Sequence, residues 1–382
     1  MAEYISTLEK LTTNPPCDPT LRKELHGKAR SALYALESVH DVQTRIFFGP
    51  VVLSGAVIAI DMGLFQALSE APQTVEAIST NISGDQVLVR RVLRLLSSTG
   101  LALEDSNGKY RATHMTSYLT NPAVESAVKS SFYLCLPMYV ALPQYLSDYR
   151  YCNPDRADHN AATMAFNGLT FFQRLAQSEK EKTWFSQYMA IHHDGEESCW
   201  KSREISEYVS RIPADGDQVL MVDVGGGMGH QAFAFRNAYH RQGRIVVQDH
   251  ESVIPLTYTE AGIEFVAQDF FTPQPDAYKN ARIYYIRNVL HDWPDDKCIK
   301  ILEHIGDAMG PNSVLMIDEK IVPNRDASDR LVFYDLAMMC IGGMERTVGQ
   351  FKKLLHGAGL KYESTIKYCK EAPDGIIIGK KI

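Results

Sequence analysis

Paired cysteines are missing from this chain. Cys17, Cys135, Cys152, Cys199, Cys298, Cys340 and Cys369 are odd in number and scattered, with no C-x-x-C pair and no zinc-ligand spacing. A disulfide-stapled scaffold is therefore not expected, and a reducing cytoplasm is the expected setting. There is no basic excess: 39 Lys and Arg stand against 46 Asp and Glu, a net charge of -7. Nucleic acid and anionic membrane surfaces bind through clustered Lys and Arg, so neither is expected as a partner. Long apolar runs are also lacking, since Val51 to Ile60 stops at Asp61. Met1-Ala2-Glu3-Tyr4 does not begin the positive-then-apolar pattern of a signal peptide, and no membrane span is expected. No internal repeat or low-complexity tract stands out. What remains is ordinary globular composition, 45% hydrophobic over 382 residues, enough for two domains and suited to a small-molecule partner.

The two halves differ in periodicity. The first reads as helices with period-3.6 apolar spacing; from about Gln218 short β-branched runs alternate with helix-length segments. Strands are expected at Val219 to Val224, Arg244 to Gln248, Ile263 to Val266, Ile283 to Arg287, Val314 to Ile317 and Gly375 to Ile378. That is the pattern of a doubly wound α/β sheet. The composition shifts at Pro213-Ala214-Asp215-Gly216, which divides the chain into domains 1–210 and 211–382. Within the first, Thr74 to Ala112 reads as a winged helix: two short helices, a strand at Leu101 to Glu104, a turn at Ser106-Asn107-Gly108 and a strand at Tyr110 to Ala112. Its basic and acidic residues cancel, which disfavours DNA binding. The preceding helix, Val51 to Leu68, carries more apolar residues than one buried stripe needs, so a homodimer surface is expected there.

The strand Leu220 to Val224 runs into Gly225-Gly226-Gly227-Met228-Gly229, a glycine-rich turn opening a helix. A dinucleotide G-x-G-x-x-G would need glycine at 230, which is His230. The chain instead satisfies D-x-G-x-G-x-G from Asp223 to Gly229, which resembles the first motif of class I methyltransferases. There the ligand, S-adenosyl-L-methionine, is a cation with no pyrophosphate. Asp223, Gly225 and Gly227 are the candidate cofactor residues of this turn. Asp249 follows the next strand, roughly 20 residues on, where a carboxylate can accept both ribose hydroxyls. Asp269-Phe270 follows the third strand and fits an adenine contact; for Asp269 a helix N-cap is an equal alternative.

Arg287 to Asp295 reads R-N-V-L-H-D-W-P-D at the carboxyl end of the fourth strand, the edge where ligands bind in open α/β sheets. Together with Asp318-Glu319-Lys320-Ile321-Val322-Pro323 and Gly342-Gly343-Met344-Glu345-Arg346-Thr347, this resembles the plant caffeate-type and fungal O-methyltransferase family over nearly the whole chain. The resemblance implies a Rossmann-like catalytic domain, an N-terminal winged-helix dimerisation domain and methyl transfer to a hydroxyl of a small secondary metabolite. It implies His291 as general base, with Glu319 and Glu345 holding the imidazole. A phenol with pKa near 10 is a poor nucleophile at neutral pH, and an imidazole near 6.5 can take its proton as attack begins. Arg287 occupies a place where relatives carry a lysine near the cofactor. No metal is required, and no carboxylate cluster is assigned to one.

Aromatic and Met residues recur between the two halves. By resemblance Phe172, Met189 and Met338 fall at acceptor-lining positions; Phe166 and Trp293 join them as flat walls suited to a ring substrate. Half of such residues are expected to be ordinary core. His192-His193-Asp194 lacks a third ligand at suitable spacing and reads as loop. Met164 to Tyr188 departs from the plant relatives towards fungal members. The alternative function is a pericyclase, since some fungal members of this fold keep the cofactor and steer a cyclisation without transferring methyl; the histidine at 291 favours methyl transfer.

Overall fold

The computed structural model describes every residue except 1, 14, 192–197, 214–217, 242, 255–256 and 370–372. His192-His193-Asp194 and most of the expected boundary at Pro213 to Gly216 therefore lie outside the described residues. The chain forms two compact units, Met1–Val128 and Lys129–Ile382.

In the first unit the expected helix pair is Val75–Asn81 and Gln86–Ser98, each started by a side-chain cap: Thr74 accepts from the Ala77 N–H and Asp85 from the Leu88 N–H. Val89, Val92, Leu93 and Leu96 form the buried stripe of the second. Strands β1 (Leu103–Glu104) and β2 (Tyr110–Arg111) then pair antiparallel, and Gln73 bridges to Tyr110. The Asp105 carboxylate closes their turn by accepting from the Asn107 and Lys109 N–H groups.

The run Val51 to Leu68 needs correction. It is two helices, Gly49–Asp61 and Leu64–Glu70, and most of its apolar side chains, among them Val57, Ile60, Leu64, Phe65 and Leu68, are core of this same unit. One stripe was too few for it because the run turns a corner and packs on several neighbours. The exposed apolar surface lies mainly upstream, at Leu33, Tyr34, Leu36, Val39, Ile46, Phe47 and Phe48, with Val51 and Ile58 continuing it. No single described helix is long and apolar enough to cross a membrane.

The second unit is built on one sheet. Its strands are β3 (Val219–Val224), β4 (Arg244–Asp249), β5 (Tyr258–Glu260), β6 (Ile263–Ala267), β7 (Ile283–Arg287), β8 (Val314–Lys320), β9 (Leu360–Lys367) and β10 (Asp374–Lys381). Their order is β5-β6-β4-β3-β7-β8-β10-β9. The five from β6 to β8 are parallel, while β5, β10 and β9 join antiparallel. β3 and β8 are buried along their whole length. This explains their near-continuous apolar runs, because both faces are covered. Val222, Val224, Tyr284, Ile286, Leu315 and Ile317 face the helices Asp295–Ala308 and Val348–Gly357. Met221, Ile283, Tyr285 and Met316 face the helices Arg203–Ser210 and His230–Ala238. Each such aliphatic side chain contributes about 1.5–3 kcal/mol by leaving water.

The compact units differ from the expected division at 210/211. Leu134, Met138, Leu142, Ala161, Ala162, Phe166, Phe171 and Leu175 form a buried cluster with Cys340 and Ile341. Asn160 Nδ2 donates to the Ile341 carbonyl and the Ala162 N–H to that of Cys340. The segment from Lys129 onward is thus tied to the sheet-containing unit through the chain beyond β8.

Candidate active site

Alternation along the strands splits the site residues between two faces. Asp223, Arg287 and Asp318 share the face of Met221, Tyr285 and Met316; Glu319 shares that of Leu315 and Ile317.

On the first face, β3 ends at Gly225, whose φ of +71° and missing Cβ both matter: a methyl there would stand 2.7 Å from Val289 Cγ2. The turn is held from β4, the Gly225 and Gly226 N–H groups donating to the Gln248 carbonyl at 2.8 and 3.0 Å. Asp249 stands beside it. Its Oδ2 accepts from the Gly227 N–H at 2.8 Å and its Oδ1 from the His250 N–H at 2.7 Å, and each oxygen keeps a second lone pair. Burial raises the Asp249 carboxyl above its usual range against these two bonds. Asp223 is more deeply placed than expected: its carboxylate lies under Gly226, where a Cβ would meet it at 2.6 Å, and its Oδ2 has no hydrogen-bond partner. Burial, with Asp249 adding repulsion, pushes it up to about 7.

Arg287 lies 3.7 Å from Asp318, which also accepts from the Tyr285 and Tyr368 hydroxyls. Burial opposes the charge on Arg287, yet Asp318 outweighs it and holds the guanidinium protonated. Asp269 caps no helix, since a turn and not a helix follows; its Oδ1 accepts from the Phe271 N–H at 2.8 Å and closes that turn.

On the second face, β7 leads into a single 3₁₀ turn, Leu290–Asp292, which carries His291. The Nδ1 of His291 lies 2.9 Å from Glu345 Oε1 and 3.8 Å from Glu319 Oε2, and its Nε2 lies 3.5 Å from Asp292 Oδ1. Glu345 can only accept when ionised, so Nδ1 donates to it. Glu319 Oε1 meanwhile accepts from the Val289 and Leu290 N–H groups, fixing the turn to β8. Both glutamates are buried rather than solvated. Burial would push the imidazole down, but Glu319, Asp292 and Glu345 outweigh it and raise His291 to about 10. Burial pushes Glu319 up to about 7 and Asp292 to about 6, each offset in part by His291. The ordinary imidazole near 6.5 expected from sequence thus gives way to one that is charged at neutral pH. Nδ1 and one oxygen of each glutamate lie within 4.8 Å of one another, a grouping an ion also tolerates; the 2.9 Å contact is a hydrogen bond, and a proton accounts for it.

A wall of rings continues from the turn. Phe172 stacks on Trp293 at 5.7 Å, and Trp293 meets Phe270 and Phe271 edge-on at 6.1 and 4.8 Å. Phe171 meets Phe172 at 5.5 Å. The ring expected at the adenine and the rings expected at the acceptor therefore share one tryptophan. Of the other expected wall residues, Phe166 is core, Met338 is partly buried against that core, and Met189 is half-exposed. Sequence reasoning gave no part to Asp292, Asp318 or Arg346. All three lie inside the sequence motifs, but the groups they face are set by the tertiary fold.

The O-methyltransferase domain family matches residues 157–361, and the O-methyltransferase dimerisation domain matches residues 45–122. Demethylsterigmatocystin 6-O-methyltransferase of Aspergillus flavus is 33% identical over 371 residues, covering 95% of this chain and 95% of its own. Among solved structures, LepI in complex with SAM aligns with a TM-score of 0.90 at 27% identity, over 100% of both chains. A structure described as a pericyclic reaction enzyme aligns with a TM-score of 0.90 at 26% identity, again over 100% of both.

Proposed function

This chain belongs to the O-methyltransferase family, and from that premise we propose that it methylates a phenolic hydroxyl of a small fungal secondary metabolite, using S-adenosylmethionine. The bonded group His291–Glu345, with Glu319 behind it, carries the reading.

Bound S-adenosylmethionine supplies an electrophilic methyl group on a sulfonium sulfur. The residues suit such a ligand: Gly225 leaves no room for a side chain, and Asp249 is prefixed by two backbone bonds with lone pairs to spare. The Asp223 carboxyl beneath the turn, raised to about 7 with one oxygen unpartnered, would gain its charge most readily beside a cation. Gly225, Gly227, Asp249, Asp269 and Phe270 would hold the cofactor. Asp223 and Arg287 would set the field behind it.

His291 takes the acceptor's proton at Nε2, the nitrogen opposite Glu345. With its proton affinity raised to about 10, the imidazole matches a phenol near 10, so transfer between them is nearly thermoneutral. Glu345 fixes the ring and, with Glu319, stabilises its charged form. Phe172 and Trp293 offer the stacked faces against which a ring acceptor lies, with Met189 and Met338 beside them and Phe166 supporting from the core.

A second reading has its own support. An imidazole charged at neutral pH is a ready hydrogen-bond donor, which is what a cyclisation without methyl transfer would use. Incubation with methyl-labelled S-adenosylmethionine and a panel of phenols separates the two. Labelled product with one S-adenosylhomocysteine per turnover is expected; conversion of the natural substrate with no S-adenosylhomocysteine replaces methyl transfer by the cyclase reading.

The exposed apolar residues from Leu33 to Ile58 overlap the matched dimerisation domain, and a homodimer through this surface is the proposed assembly. Obligate interfaces bury upwards of about 2,000 Å² and leave no such surface in water. Light scattering at micromolar concentration should give twice the chain mass, and Phe47→Glu should lower it. A monomeric wild type overturns the assembly.

A further inference from the structure

Arg346 is 1% exposed, a charged side chain sealed beneath the turn that carries His291. All five of its N–H groups are engaged. Nε and Nη2 donate to Asp295 Oδ1 at 3.0 and 2.8 Å, and Nη2 also to the Trp293 carbonyl at 2.8 Å. Nη1 donates to the Leu290 carbonyl at 2.8 Å and to that of Met344 at 3.3 Å. Leu290 and Trp293 bracket His291, so one cation grips both ends of the turn that carries it. The Cys298 thiol is directed at the same two carbonyls.

The arginine's own backbone completes the arrangement. It follows Glu345 directly, and its carbonyl accepts from the Val322 N–H just past β8, the strand of Glu319. The Met344 N–H donates to the His291 carbonyl at 2.8 Å. Three segments, bearing His291, Glu345 and Glu319, thus converge on one residue. A planar fork with five fixed donors suits this, and a lysine does not reproduce it.

We propose that Arg346 is a positioning residue for the proposed base, holding the 290–295 turn and Glu345 in the relative placement that makes the Nδ1···Oε1 bond. The inference rests on the reading of His291 as the working imidazole.

The test follows the imidazole by NMR in the full-length protein with S-adenosylhomocysteine, the His291 signals being assigned by their loss in His291→Ala. In Arg346→Lys the proton affinity of His291 should fall about tenfold, the scale of a weakened charged hydrogen bond, and the downfield Nδ1–H signal should fade. A merely structural role would lower the melting temperature and leave both signals in place. Should Arg346→Lys not fold, Asp295→Asn decides: Asp295 is 61% exposed, so the change is mild, and a smaller shift in the same direction is expected. Folded variants with an unmoved titration overturn the proposal. Full turnover in His291→Ala would instead sink the base reading, whatever the Arg346 variants do to the titration.

Discussion

Replacing His291 by Ala should lower methyl transfer by about 10²- to 10⁴-fold, the usual contribution of a positioned base, with S-adenosylmethionine affinity nearly unchanged. Glu345→Gln should cost less, because the ring stays and only its orientation and charged form lose support. The pH dependence adds a sharper condition. A base works in its neutral form, so the rate is lost as pH falls through the folded-state value. With His291 raised to about 10, turnover should climb from neutral pH by up to about tenfold per pH unit and level off near that value. In Glu345→Gln the acid limb should move to lower pH, since one of the carboxylates that raise the imidazole is gone. A wild-type profile flat from pH 6 to 10 with chemistry rate-limiting would exclude a base of this affinity. Full activity of His291→Ala at neutral pH would remove the base assignment altogether.

Gly343→Ala should be nearly as damaging although residue 343 has no side chain to lose. A Cβ there would stand 2.1 Å from the His291 carbonyl oxygen and 2.9 Å from the Asp292 carbonyl carbon. Both obstacles are backbone, so the turn or the 342–346 loop must move. A displacement of about 1 Å at a catalytic group costs on the order of 10²-fold, and overpacking adds about 1–3 kcal/mol of destabilisation. Turnover should therefore fall about a hundredfold and the melting temperature by several degrees, with cofactor affinity affected less. Gly27→Ala, with open space around the added methyl inside the helix Pro19–Leu36, serves as the control: turnover should not change, and the melting temperature should hold or rise slightly, since Ala is the better helix former by up to about 1 kcal/mol. Wild-type turnover in Gly343→Ala would show that the loop does not set the turn.

The parallel strands were legible because burial on both faces writes itself as continuous β-branched runs; Val219–Val224 and Ile283–Arg287 fall where expected. β9 was not, because Leu360–Lys367 is an edge strand whose exposed positions read Lys361, Glu363 and Lys367. The same limit applies to Val51 to Leu68: apolar content is plain in the sequence, but whether a partner or the unit's own helices cover it is a tertiary fact. At the site, residue types and order were readable, and Glu319, Glu345 and His291 do meet. What spacing could not supply was the environment. Two buried glutamates and a partly buried aspartate move the imidazole by several orders of magnitude in proton affinity, and burial takes Asp223 from a surface-like acid to one near 7.

The pleat of β8 has an evolutionary reading. Asp318 and Glu319 are neighbours in sequence yet serve separate circuits, one with Arg287, Tyr285 and Tyr368, the other with His291 and the 289–290 backbone. A strand thus acts as a partition between two charge systems. Selection can retune one without passing through a broken version of the other, so a lineage can exchange the reaction performed on one side of the sheet while inheriting intact what is held on the other.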